Sequence, residues 1–198
     1  MPSPLLTAKP SVLRCSRCGR FVDWADARLQ LVCGCRAHVE LPPVTVRSCE
    51  DADRQAVLDL FERDFGSTRV GAFDTEHALE AVPALVATVK DGLLAGALAY
   101  RITGEALQML ALATDPMWQR SGVGGQLVAR AEVLAREAGC RRAALATSND
   151  NLPALYFYQR QHYRVASVAI GSLVARAAGR PGFAGIHVRD EIRLEKDL

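Results

Sequence analysis

No stretch of this 198-residue chain approaches the ~18 uninterrupted apolar residues that a membrane-spanning helix needs. The opening MPSPLLTAKPSVLRC also lacks the apolar core, roughly 7–15 residues long, of a secretory signal. Charge of one sign is scarce: 24 Lys and Arg stand against 22 Asp and Glu, a net charge of +2 with no basic run. That near-balance removes the electrostatic case for nucleic acid as a partner. No lysine follows any glycine, so a Walker phosphate loop is excluded. These absences predict a cytoplasmic protein with no membrane partner, and in that compartment the six cysteines stay reduced or bind metal. At 49% hydrophobic and 23% charged, the composition is that of an ordinary globular chain.

What is present divides into two regions. Cys15, Cys18, Cys33 and Cys35 fall within 21 residues, whereas Cys49 and Cys140 stand alone. Residues 1–41 therefore form a separate cysteine unit, closed by Pro42-Pro43, which resists both helix and central strand. Cys15-x2-Cys18 followed by Cys33-x-Cys35 is close to the spacing of a structural zinc ribbon, one residue short in the second pair, with His38 as an alternative fourth ligand. About forty residues bury too little surface to fold unaided, which gives a metal a physical role. Free or redox-active thiols and an iron–sulfur site are the other readings.

From Val44 to Leu198 the patterning alternates. Strands are expected at about 44–49, 84–90, 93–103, 105–114, 141–147, 163–171 and 187–194. Helices are expected at about 51–65 with Asp51 as N-cap, at 75–81, at 122–138 ending at Gly139, and at 152–160. Asp91-Gly92 and Thr103-Gly104 read as hairpin turns. This is an α/β chain with a mixed sheet of six or seven strands and helices on its faces.

Between the strand at 105–114 and the long helix lies QRSGVGG, residues 119–125. Glycines before a helix let backbone N–H groups converge on an anion without a side chain in the way. A dinucleotide fingerprint fails, because Leu127 stands where its third glycine belongs. Gln119-Arg120-Ser121-Gly122-Val123-Gly124 instead resembles the Q/R-x-x-G-x-G/A loop of the GNAT N-acyltransferase superfamily. A second segment, NDNLPALYFYQRQHY over 149–163, is similar to the family's N-x-x-A-x-x-F-Y-x-K/R-x-G-F signature through Asn151, Ala154, Leu155, Phe157, Tyr158, Arg160 and Tyr163. His162 departs from it, standing where the family has glycine.

The resemblance covers about 44–198 and implies the GNAT fold, carrying the small zinc-ribbon-like unit as an appendage. It implies acetyl-CoA as cosubstrate and transfer of the acetyl group to a primary amine. The acceptor is a small molecule or peptide left unnamed by these motifs, and a homo-oligomer is left open. The pyrophosphate falls to Gln119, Arg120, Ser121, Gly122, Val123, Gly124 and Gly125. An exposed strand edge pairs with amide-bearing pantetheine as with another strand, which points to the backbone of Leu112, Ala113 and Thr114; in the family this strand splays from the next, here Ala143 to Thr147.

Tyr158, Ala154 and Asn151 share one helical face. A phenol of ordinary pKa about 10 is protonated at neutral pH and can give its proton to a leaving thiolate, the family role of this tyrosine. One of its neighbours, Tyr156 or Phe157, reads as a packed aromatic. Asn151, with Ala154 on the same face, contacts the cofactor, caps the helix, or does both. No acid sits within the strand before the loop, Glu105 lying only at its start; Asp64, Glu76, His77, Asp190, Glu191 and ordered water are open candidates for the base, and none is assigned. A non-catalytic module that senses acyl-CoA, or binds a partner through the cysteine unit, is the alternative.

Overall fold

The structure, a computed structural model, describes residues 12–14, 21–23, 43–89, 92–119, 121–177 and 182–198. Two short strands, β1 (Val12–Arg14) and β2 (Phe21–Asp23), pair antiparallel with Leu13 opposite Val22. Cys15 and Cys18 lie in the segment connecting them. These two, together with Cys33, Cys35 and His38, fall outside the described residues.

The remaining elements follow in order: β3 (Thr45–Ser48), α1 (Arg54–Phe65), β4 (Arg69–Ala72), β5 (Thr75–Ala78), β6 (Ala84–Thr88) and β7 (Leu94–Thr103). After them come β8 (Ala106–Thr114), α2 (Val123–Glu137), β9 (Arg142–Ser148), α3 (Leu152–Arg160), β10 (Arg164–Ala169), the short α4 (Val174–Ala177) and β11 (Glu191–Asp197). Seven strands form one mixed sheet in the order β10-β11-β9-β8-β7-β6-β3. Every neighbouring pair is antiparallel except β8 and β9. That exception follows from the connection: a parallel pair needs a crossover, and α2 supplies it.

Each face of the sheet has its own core. α2 buries Val123, Leu127, Val128, Ala131 and Ala135 with Leu98, Leu107, Met109, Leu145, Leu194, Tyr158 and Tyr163. α1 buries Val57, Leu60 and Phe61 against Val86, Ala97, Ala99, Ala111 and Ala113. Adjacent residues Leu85 and Val86 go to different clusters, as alternation along a strand requires. The helix α2 ends as its glycine suggests: Gly139 is left-handed at φ 80°, and Cys140 N–H donates back to Ala135 O at 2.8 Å.

Several boundaries differ from the sequence expectation. The helix expected at 75–81 is instead strand β5 followed by a single 3-10 turn, Leu79–Ala81. Its partner β4 reads as no strand in the sequence, because the turn joining them is Phe73-Asp74, both left-handed at φ 53° and 61°, where glycine or asparagine is the usual signal. Asp51 opens a 3-10 turn, and Glu50 takes the cap position, its N–H donating to Asp53 Oδ2 at 2.9 Å. The final strand begins at Glu191 and runs to Asp197, later than 187–194.

Candidate functional site

The strands β8 and β9 pair from Ala106–Arg142 to Met109–Leu145 and no further. Opposite Met109 and Ala111, β7 supplies the consecutive residues Tyr100 and Ala99, so Leu110 is an extra residue bulged out of β8. A bulge bends its strand and terminates pairing on the far side. Beyond it Ala111–Thr114 stay with β7, while Ala146–Ser148 stay with β11, and the sheet opens into a gap. Leu112, Ala113 and Thr114 lie along one edge of that gap, and Thr147, at the end of the segment expected to splay, lies across it.

β8 runs directly into the glycine loop. Asp115 begins it, its N–H bonded to Ala95 O at 3.0 Å and its Oδ1 accepting Met117 N–H at 2.9 Å. Trp118 N–H donates to Asp115 O at 2.7 Å, and Trp118 O accepts both the N–H and the hydroxyl of Ser121. Gln119 Nε2 donates to Thr114 O at 3.4 Å, which turns this side chain back onto the strand. Arg120 lies outside the described residues. Gly122, left-handed at φ 88°, occupies the N-cap of α2 without a side-chain cap.

The first N–H to bond back into the helix is that of Gln126, to Gly122 O at 3.1 Å. The N–H groups of Val123, Gly124 and Gly125 therefore have no acceptor within the helix and carry its positive end. A Cβ on Gly124 would sit 3.4 Å from Phe157 and 3.8 Å from Leu112, so α3 and β8 close over this turn. The loop is braced by its own hydrogen bonds and leaves these backbone donors without an acceptor among the described residues, an arrangement suited to a phosphate.

α3 starts with Asn151, whose Oδ1 accepts Ala154 N–H at 3.2 Å; of the two readings for Asn151, the cap is the one the geometry displays. Ala154 and Phe157 pack against the α2 core, so of the two aromatics beside Tyr158 it is Phe157 that is packed, while Tyr156 is 64% exposed and stacked with Arg160. Tyr158 is buried, edge-on to Phe157 at 4.9 Å and to Tyr163 at 5.7 Å. Burial drives the pKa of its phenol far above the ordinary value, because the phenolate would lose its water.

His162 fills the glycine position of the signature by adopting φ 68°. Tyr163 N–H donates to Tyr158 O and His162 N–H to Gln159 O, both at 3.0 Å. This is the same C-terminal motif that Gly139 makes on α2. Tyr163 Oη donates to buried Glu132 at 3.0 Å, and Lys196 closes on both Glu132 oxygens at 2.8 Å.

The candidate bases are dispersed. Glu76 is paired with Arg69 at 2.7 Å on the surface. His77 is buried with Nε2 against Ala72 O. Asp190 accepts Gly171 N–H and Arg189 Nε–H, which hold its carboxyl below the usual range. Asp64 is pushed up by burial, against the pull of Arg63 and with the charge of Asp115 adding to the rise. Glu191 is buried beside Arg193. The Arg63–Asp115 contact and the Glu191–Arg193 pair give no sequence signal; the first joins residues 52 positions apart.

The sequence profile of the acetyltransferase (GNAT) family matches residues 53–163, more than half of the chain, and the protein belongs to that family. Among curated proteins, uncharacterized protein YdhI of Bacillus subtilis (strain 168) is 27% identical over 148 residues, covering 72% of this chain and 91% of YdhI. Among solved structures, a Bacillus subtilis acetyltransferase in complex with CoA aligns with a TM-score of 0.63 at 21% identity, over 79% of this chain and 99% of that one. A GNAT family acetyltransferase from Elizabethkingia anophelis with acetyl-CoA bound aligns at 0.61 and 16% identity, over 78% and 98%. At these identities the two structures establish the shared fold.

Proposed function

We propose that this protein moves an acetyl group from acetyl-CoA to a primary amine by direct attack, with Tyr158 protonating the departing thiolate. The observation that carries the reading is the continuity of two features. The gap opened at Leu110 runs along β8 straight into a loop whose helix start has N–H donors with no acceptor among the described residues. The fit to acetyl-CoA is a fit of chemistry: an unpaired strand edge at Leu112, Ala113 and Thr114 suits pantetheine amides, and the N–H groups of Val123, Gly124 and Gly125 suit a pyrophosphate. Gln119, Arg120, Ser121 and Gly122 complete that loop in the reading, with Asn151 and Ala154 at the start of α3 beside it. When bound, acetyl-CoA supplies the activated acyl group.

The chain's own part is to hold the donor, exclude water and keep a proton ready. A buried phenol stays protonated across the working pH range, which supports Tyr158 as the proton donor. Calorimetry with acetyl-CoA, followed by thiol release over polyamines, aminoglycosides and peptides, tests the function. Absence of CoA binding would end it, and binding without release would leave an acyl-CoA-sensing module. Tyr158→Phe at full turnover would remove the proposed acid.

We also propose that Cys15, Cys18, Cys33 and Cys35 hold a structural zinc ion. The Cys15-x2-Cys18 and Cys33-x-Cys35 spacing supports it, being close to that of a structural zinc ribbon. Metal analysis of the purified protein, with and without Cys15 and Cys18 replaced, is the direct test.

A further inference from the structure

The sheet face opposite α2 and α3 carries, on β11 one strand away from the gap, a charged group that the proposed chemistry does not yet use. On β11, Leu194 belongs to the α2 core and Lys196 reaches Glu132 on α2, so Glu191 and Arg193 point to the other face. Arg193 lies opposite Ala146, one residue past the last β8–β9 pair, and Glu191 lies opposite Ser148. Glu191 is 4% exposed; its Oε1 accepts Arg193 Nε–H at 2.7 Å, and its Oε2 accepts no hydrogen bond among the described residues.

The β4–β5 hairpin crosses this face, with β4 against both β8 and β9. Its turn reaches Arg193: Asp74 Oδ2 is 2.7 Å from Nη2, and the guanidinium lies 5.8 Å from the centre of the Phe73 ring. Phe73 and Asp74 both hold a left-handed backbone that bulky side chains disfavour, and such strain persists only where surrounding contacts enforce it. Two carboxylates and one guanidinium leave the group with a net negative charge, suited to an arriving ammonium. The Arg189–Asp190 pair just before β11 completes the charged surroundings.

Resting on the acetyl-transfer reading, we propose that Glu191 takes the proton of the incoming ammonium and that Arg193, clamped by Asp74, is the positioning residue. The ammonium gives one proton to the Glu191 carboxylate. The freed nitrogen lone pair forms the N–C bond to the thioester carbonyl as the C–S bond breaks. The sulfur takes the Tyr158 proton, and the second nitrogen proton returns to the Tyr158 oxygen through solvent. Glu191 then releases its proton to water, so the sum is ammonium plus thioester giving amide, thiol and one proton.

The experiment measures thiol release from acetyl-CoA with spermidine, kanamycin and an alanyl peptide, together with CoA affinity by calorimetry. Glu191→Gln is expected to lower kcat by about 100-fold and leave CoA affinity unchanged. Turnover within about threefold of wild type overturns the proposal while acetyl transfer stands. Wild type that binds CoA but releases no thiol overturns acetyl transfer, and this inference with it. If Glu191→Gln does not fold, Glu191→Asp decides, since it keeps the charge beside Arg193 and withdraws the carboxylate: a fall of about tenfold supports the role and an unchanged kcat overturns it. Arg193→Lys is expected to lower kcat with KM for acetyl-CoA unmoved, and equal changes in both would remove the positioning role.

Discussion

Arg63 near the end of α1 donates through Nη2 to Asp115 Oδ2 at 3.1 Å, while Asp115 Oδ1 holds Met117 N–H at 2.9 Å. One carboxylate thus joins the helix on one face of the sheet to the first turn of the glycine loop. Asp115→Ala is expected to weaken CoA binding about tenfold, because each lost hydrogen bond of this kind is worth about 1 kcal/mol. Asp115→Asn keeps an acceptor for Met117 and should lose less. Calorimetry with CoA reads both, and an Ala variant of wild-type affinity would separate the clamp from binding.

Gly96 lies on β7 under α2. A Cβ there would stand 2.9 Å from Ala113 O and 3.0 Å from Val123 Cγ1, against backbone and helix start alike. Gly96→Ala should force α2 away from the sheet at about 1–3 kcal/mol and lower the melting temperature by several degrees. CoA affinity should fall too, since Val123 is the first residue of the helix. An unchanged melting curve would show that the strand yields instead.

Burial raises the pKa of the Tyr158 phenol, and burial with the nearby Glu132 charge raises that of Tyr163. A raised folded-state pKa means that above pH about 10 the unfolded chain gives up protons the folded one retains. This contribution to stability is whole below that pH and is lost as pH rises beyond it. Denaturant titrations between pH 8 and 11 should show stability falling at the alkaline end, and Tyr158→Phe should reduce that slope by about one proton.

His162 pays for a left-handed backbone that glycine adopts freely. His162→Gly should stabilise the protein by about 1 kcal/mol and raise the melting temperature by roughly 2–4 °C. Calorimetric melting of the two proteins decides it. A destabilised variant would mean that the imidazole makes contacts worth more than the strain.

Legibility followed the range of the forces involved. The glycine loop, α2 with its Gly139 stop, and α3 with Tyr158 were readable because caps, periodicity and turn glycines act within a few residues. The β4–β5 hairpin was not, since Phe73-Asp74 is a poor turn sequence whose conformation is held by Arg193, more than a hundred residues later. Which of Tyr156 and Phe157 is packed was not legible either, because that depends on which face of α3 meets the core: Phe157 does and Tyr156 meets solvent.

By itself the sequence determined a glycine-rich helix start after an apolar strand, and a tyrosine on the following helix. Those properties reside in local backbone preference and in the spacing of apolar residues. Only the tertiary structure decided that β8 parts from β9 at Leu110, that Asp115 ties the loop to α1, and that Glu191 and Arg193 pair on β11 beside the part of β9 that has left β8. Each of these depends on which strand lies beside which and in what register, a choice made by the packing of two cores on opposite faces of one sheet.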